Sequence, residues 1–141
     1  AQAAITNTCI GVFNGIFYNA ATTLKPTWAN WYNQPITPAN SEDVTCFVID
    51  NPTQLFVVSL DTAAAQAIYG MTMGLTVTAA GSETSGQSSS TLTYATRHAT
   101  NNQWRLVRTA EDPENNQNAT FRSVVVAHNL NQYFTGAVTW A

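Results

Sequence analysis

Short apolar runs separated by turn-forming residues dominate the hydrophobic pattern of this chain. The runs are rich in β-branched and aromatic residues, and Gly, Pro, Asn and Asp lie between them. Runs of this kind are typical of the strands of a sandwich or barrel. The pattern predicts an all-β fold, a compact antiparallel β-barrel or β-sandwich with at most one short helix. The predicted strands are residues 10–18, 28–32, 44–49, 55–60, 71–78, 92–96, 104–108 and 121–128.

Two pairs of these runs are spaced as hairpins. Residues 50–53 read Asp-Asn-Pro-Thr, a turn sequence in which Asp and Asn bond their own backbone and Pro fixes φ. They join runs 44–49 and 55–60, which are almost continuously apolar, so we expect both faces of this hairpin to be covered. Runs 104–108 and 121–128 flank a second cluster of turn residues and predict a long hairpin.

Two further segments carry local signals of their own. Residues 61–69 have good helix propensity, and Asp61 or Thr62 is placed to cap a helix of two or three turns. Residues 71–78 alternate strictly between apolar residues and mostly threonine or glycine, which predicts a half-exposed strand. Its apolar face would consist of Met71, Met73, Leu75 and Val77.

The chain length of 141 residues is typical of one domain, residues 1–141. We expect residues 1–8 and 136–141 to extend toward neighbouring subunits. Two cysteines do not make a disulfide framework, so we predict that Cys9 and Cys46 are both thiols. Cys46 lies in an apolar run and is expected to be buried as a small hydrophobic residue.

Charge is scarce. Charged residues are 9% of the chain, and the net charge is −3. The five basic residues are too scattered to release many phosphate counterions, so we expect no nucleic-acid partner. No run of eighteen apolar residues is present, and residues 1–4 lack the basic start and apolar core of a signal peptide, so we expect no membrane partner. Of trimming of the initiator Met and removal of a longer leader, we favour trimming.

Few side chains are candidates for catalysis or metal binding. His98 and His128 are the only imidazoles, and neither lies in a known metal or catalytic spacing, so we interpret both as strand-end residues. Glu111, Asp112 and Glu114 are close in sequence but miss the spacing of a calcium loop, which favours a solvated hairpin tip. We therefore predict that the protein is not an enzyme and has no cofactor or metal site.

Four aromatic residues in the first part of the chain support two interpretations: Tyr18, Trp28, Trp31 and Tyr32. With the abundant Asn and Gln of the chain, they would suit stacking on sugar rings, as in a carbohydrate-binding module or lectin-like adhesion protein. Aromatic side chains also anchor protein interfaces. We expect the second role, and we expect a polar loop at residues 81–90 and the C-terminal residues to contribute to the same protein interface. The predicted interface residues are Trp28, Trp31, Tyr32, Ser85, Gln87 and Trp140.

An ordered set of motifs runs through the N-terminal part of the chain: residues 11–18, Lys25-Pro26, Trp31-Tyr32, Asp43 and residues 48–56. This set resembles small head proteins of marine tailed phages. The resemblance is specific within about the first sixty residues and looser later, where the loop at 81–86 and the run 124–126 leading to His128 are similar. Residues 56–58, Phe-Val-Val, depart from the pattern, since the similar proteins tend to have an acidic residue after Phe, and the cysteines also depart.

Members of that group look like capsid decoration or cement proteins. The resemblance implies a virion protein that binds the outer capsid surface and stabilises contacts between major capsid subunits, after synthesis in the host bacterial cytoplasm. It also implies symmetric assembly, which we expect to be a homotrimer. The low charge and the edge strands without Lys agree with a permanent interface.

Overall fold

The computed structural model describes residues 9–32, 36–63, 66–77, 81–82, 84–99, 101–116, 118–131 and 133. Its regular structure is almost entirely strand, with two short 3-10 turns at Ala39–Ser41 and Gln66–Ile68. The all-β prediction is therefore confirmed. The strands are β1 (Val12–Asn19), β2 (Pro26–Ala29), β3 (Thr45–Ile49), β4 (Leu55–Leu60), β5 (Thr72–Val77), β6 (Ser90–His98), β7 (Trp104–Thr109) and β8 (Ser123–His128).

Backbone contacts divide the chain into two compact units. The sheet unit contains the described residues of Gly11–Asp50 and Gly81–Ser88, and the barrel unit contains the other described residues. The prediction of one domain is not tested by this division and stays a prediction. The predicted terminal extensions, residues 1–8 and 136–141, lie outside the described residues.

The sheet unit is built on three antiparallel strands in the order β2-β1-β3. β1 is the central strand and pairs Phe17 with Trp28 of β2 and Gly15 with Phe47 of β3. A register shift between Phe13 and Gly15 adds one residue to β1. A bulge of this kind bends the strand and increases its twist.

The barrel unit closes five strands in the order β4-β6-β5-β7-β8. All its pairs are antiparallel except β4 with β6, which are parallel over a short stretch. The predicted hairpin of β7 and β8 is confirmed by the register Trp104 to His128 through Thr109 to Val124. Because the barrel is closed, none of these five strands has an open edge.

Apolar side chains from every barrel strand fill its core. Each is at most 1% exposed, so each contributes the full transfer free energy of its side chain, about 1.5–3 kcal/mol. On β8, Val124, Val125 and Val126 are all buried, which shows that this strand is covered on both faces. The most deeply buried core residues are Leu60, Met73, Leu92, Leu106, Val124 and Val126.

The predicted hairpin of residues 44–60 is wrong. Both strands exist, but β3 pairs with β1 and β4 pairs with β6 and β8. Residues 50–53 therefore connect the two units instead of closing a hairpin. The expected burial is also wrong for β3, whose first four residues, including Cys46, are exposed. Both cysteines are recorded as thiols, as predicted.

The predicted helix at residues 61–69 is also wrong in extent. The described part contains only the 3-10 turn Gln66–Ile68. Asp61 does not cap this turn, because its Oδ1 accepts a hydrogen bond from the backbone N–H of Tyr94 at 3.0 Å. β5 departs from the predicted two-faced pattern as well, since Thr72 and Met73 are both fully buried.

Candidate functional site

Three aromatic side chains lie on one face of the sheet unit. Phe17 lies opposite Trp28, and residues directly opposite in antiparallel strands share a face. Phe47 lies opposite Gly15, two residues along β1 from Phe17, and so shares the same face. We call Phe17, Trp28 and Phe47, with Gly15 between them, the aromatic face.

Gly15 lets the aromatic face form. Its φ is +136°, a conformation that L side chains rarely adopt, and a Cβ added here would lie 2.9 Å from Cζ2 of Trp28. The same Cβ would lie 2.9 Å from the backbone oxygen of Ala29. Because this space is empty, the indole of Trp28 reaches across β1 to Phe47, with ring centroids 4.8 Å apart and planes tilted by 49°.

The aromatic face is open to solvent. Phe17 is 39% exposed, Trp28 51% and Phe47 40%. Single exposed apolar residues are common on protein surfaces, whereas several that touch one another mark interaction sites. The sheet unit therefore presents an exposed Trp28–Phe47 contact, with Phe17 directly opposite Trp28 on the same face, as a surface suited to another molecule.

The opposite face of the sheet mixes buried and exposed apolar residues. Ile16 is fully buried and lies opposite Cys46. Phe13 and Val48 lie opposite each other and are 44% and 45% exposed. This face provides the core of the sheet unit at Ile16 and leaves an apolar pair exposed at the end of β3.

Trp31 lies against the loop at residues 81–88. A Cβ added at Gly86 would lie 2.3 Å from Cε3 of Trp31, so the indole packs directly on the glycine backbone. The loop is closed there by hydrogen bonds from the N–H of Gly86 to the oxygen of Ser82 at 2.8 Å and from the N–H of Ser82 to the oxygen of Gln87 at 2.9 Å. Trp31 thus holds this loop in place.

The structure brings most of the predicted interface residues into the sheet unit. Trp28 and Tyr32 are each 51% exposed, Trp31 is half-buried, and Ser85 and Gln87 are exposed on the loop that Trp31 contacts. Trp28 is the last but one residue of β2, whereas Trp31 and Tyr32 follow the strand, so the strand predicted at 28–32 begins and ends earlier. Trp140 lies outside the described residues.

Sequence reasoning missed Phe17 and Phe47 as site residues. Both lie in runs that were assigned as strands, but a strand pattern alone does not reveal which strands are neighbours. The signal that could have marked the site was Gly15 inside an aromatic strand, since glycine there indicates close approach of another group.

Among the described residues, the excess of negative charge lies in the sheet unit. The described part of this unit contains Lys25 and the acidic residues Glu42, Asp43 and Asp50, a net charge of −2. The barrel unit contains four arginines and four acidic residues, which cancel. A partner of the sheet unit is thus expected to be neutral or basic.

Among the described residues, His128 is a buried ionisable side chain whose pKa is shifted from its usual value. Its ring lies 4.4 Å from Trp104 and 5.3 Å from Phe56, centroid to centroid, at the end of β8. Within the described residues neither ring nitrogen has a hydrogen-bond partner. Burial lowers the pKa of His128, because the charged form loses water. The imidazole therefore packs as a neutral aromatic ring.

The acidic hairpin tip is organised by local bonds. Glu111 pairs with Nη1 of Arg108 at 2.8 Å, and Oδ1 of Asp112 accepts the N–H of Glu114 at 3.1 Å. Among the described residues no group of three or more His, Cys, Asp or Glu side chains is arranged to hold a metal ion. No described helix combines the length and apolar character that crossing a membrane requires.

Comparisons with protein-family models, with curated proteins and with solved structures gave no match. The aromatic face, the Trp31-anchored loop and the acidic charge of the sheet unit are thus the observations on which a functional proposal rests.

Proposed function

We propose that this chain is a virion structural protein that binds the outer surface of a phage capsid and stabilises contacts between major capsid subunits. The aromatic face is the observation that carries the proposal, because exposed aromatic side chains in contact with one another anchor protein interfaces. The capsid is named as the partner on the resemblance of the first sixty residues. The protein would be made in the host bacterial cytoplasm and act on the virion.

The energetics of the aromatic face favour repeated attachment. Burying what remains exposed of its three rings would remove about 300 Å² of apolar surface, worth roughly 7 kcal/mol before costs. Association itself costs a comparable amount, so a single copy would bind modestly. We propose that copies act as a homotrimer, because linked copies raise the effective concentration at neighbouring capsid sites.

Binding of the purified protein to capsids that lack it tests the proposal. We expect Trp28→Ala to weaken binding at least about tenfold, since it removes the ring that contacts Phe47 and lies opposite Phe17. The matched control is Phe121→Ala, which removes a ring that is 62% exposed in the barrel unit and should leave binding unchanged. Equal binding by wild type and Trp28→Ala would contradict the proposal.

Carbohydrate binding is the second candidate function. It is supported by the half-exposed indole of Trp28 on a sheet face, a surface on which the apolar face of a sugar ring can stack. A glycan array distinguishes the two functions. Specific retention of one glycan by wild type, lost in Trp28→Ala and kept in Phe121→Ala, would favour this function over capsid attachment.

A further inference from the structure

The two outer strands of the sheet unit differ in how they are protected. β2 has four residues, begins at Pro26 and follows Lys25. Proline and lysine are the residues that proteins place on exposed edges to prevent pairing with another chain. β3 has five residues, Thr-Cys-Phe-Val-Ile, and contains neither proline nor charge. The edge of β3 therefore lacks the protection against pairing with another chain that Pro26 and Lys25 give to the edge of β2.

The β3 edge is also accessible. Among the described strands, β3 pairs with β1 alone, and its residues Thr45 to Val48 are exposed. In an antiparallel pair, alternate residues direct their backbone N–H and C=O groups away from the neighbour. The outer edge of β3 therefore offers a row of donors and acceptors to an added strand.

Acidic residues lie at both ends of this edge. Glu42 and Asp43 precede β3 and Asp50 follows it, within the unit that carries the net negative charge. Pairing of two copies through β3 would bring these charges together. Parallel pairing places Asp50 beside Asp50, and antiparallel pairing places Asp50 beside the region of Asp43. Like charges opposite each other destabilise a strand pair, so a second copy is a poor occupant.

We infer that the β3 edge binds an extended segment of another protein by strand addition, and that this segment is apolar in alternation with Lys or Arg near both ends. Its backbone would pair with β3, and its apolar side chains would pack beside Phe47 on one face or Val48 on the other. Its basic ends would face Asp43 and Asp50. This inference rests on the proposed function, which makes the major capsid protein the source of the segment.

An array of overlapping twelve-residue peptides that covers the major capsid protein, probed with the purified full-length protein, tests the inference. We expect the retained peptides to share the apolar core and basic ends. Asp43→Asn with Asp50→Asn should weaken retention about three- to tenfold, as expected for two exposed charge pairs. Val48→Lys, which puts a charge within β3, should abolish retention. Val57→Lys is the matched control, since Val57 is 66% exposed on β4 of the closed barrel.

Capsid binding separates failure of this inference from failure of the proposed function. Val48→Lys should lose capsid binding, and hydrogen exchange should show new protection of backbone amides in Thr45–Ile49 on the capsid. If capsids bind wild type and Val48→Lys equally, or if no peptide is retained, strand addition at β3 is overturned. Capsid binding that depends on Trp28 would still stand in that case. Absence of any capsid binding would overturn the proposed function itself.

Discussion

Trp28 and Phe47 meet above Gly15, with ring centroids 4.8 Å apart, although they come from the two outer strands of the sheet unit. The contact exists because the central strand has no side chain between them. One glycine thus joins two exposed rings into a continuous surface, and a change at this position should alter both the stability of the sheet and its binding.

Gly15→Ala should lower the free energy of unfolding by about 2 kcal/mol or more, because it combines an unfavourable φ with contacts of 2.9 Å to Trp28 and to the backbone of Ala29. Urea denaturation followed by tryptophan fluorescence measures the loss. Gly70→Ala is the matched control, since its φ is +87° and a Cβ there meets nothing within 4 Å. It should cost only about 1 kcal/mol. Equal losses in the two variants would contradict this account of Gly15.

Gly86→Ala should release the loop at residues 81–88 from Trp31. The added Cβ would lie 2.3 Å from the indole, and the φ of +69° is unfavourable for alanine. We expect faster cleavage of this loop in limited proteolysis. Ser85→Ala is the control, because it removes only an exposed hydroxyl that accepts a weak bond at 3.4 Å from the N–H of Gln87. A loop that is cut equally fast in both variants would show that Trp31 does not hold it.

Lowering the pH should destabilise the protein through His128. Its pKa is lowered by burial from the usual 6.5, so below pH 6.5 the unfolded chain takes up a proton that the folded chain does not. The stability of the folded state is complete above pH 6.5 and falls as the pH decreases, by up to about 1 kcal/mol between pH 7.5 and 5.5.

Urea denaturation at the two pH values measures the effect of His128. His128→Phe, which keeps an aromatic ring beside Trp104 and Phe56, should flatten this pH dependence. An unchanged slope in His128→Phe would rule out the imidazole as its source.

Asn115→Ala should destabilise the tip of the β7–β8 hairpin. The Asn115 side chain donates to the oxygens of Ala110 at 2.9 Å and Ser123 at 2.7 Å, and accepts the N–H of Ser123 at 2.9 Å. Loss of these three partly buried bonds should cost about 2–3 kcal/mol in thermal or urea unfolding. Asn116→Ala loses one exposed bond and should cost less than about 1 kcal/mol. Similar losses in both variants would exclude Asn115 as a specific support of the tip.

The sequence was a good guide to where strands lie and a poor guide to how they pair. Runs of β-branched and aromatic residues marked β1, β4, β7 and β8 within a few residues, because strand propensity is local. The turn signals of residues 50–53 are also local. The pairing of β3 with β1 instead joins residues that are far apart in sequence, such as Val12 and Ile49, and long-range packing decides which strand β3 pairs with. The described part of residues 61–69 forms only the 3-10 turn Gln66–Ile68, and Asp61 makes a tertiary bond to the backbone N–H of Tyr94 that the local sequence does not indicate.

The candidate site was predictable in part. Trp28 was predicted as an interface residue because aromatic side chains anchor protein interfaces, but Phe17 and Phe47 join it only through the order β2-β1-β3. Trp31 was placed in the same group by its sequence position, and the structure instead packs it on Gly86. Local chemistry identified the residue types, whereas their grouping depended on pairings that the sequence pattern does not contain.

Stabilisation of the capsid by this protein is measured by the survival of purified virions with and without it under heat or osmotic shock, together with cryo-EM of both particles. The account predicts that particles lacking the protein burst earlier, lose density at the outer capsid surface, and recover when wild type but not Trp28→Ala is added back. Particles that are equally robust without it and lose only adsorption to cells would contradict capsid stabilisation and favour the adhesion function.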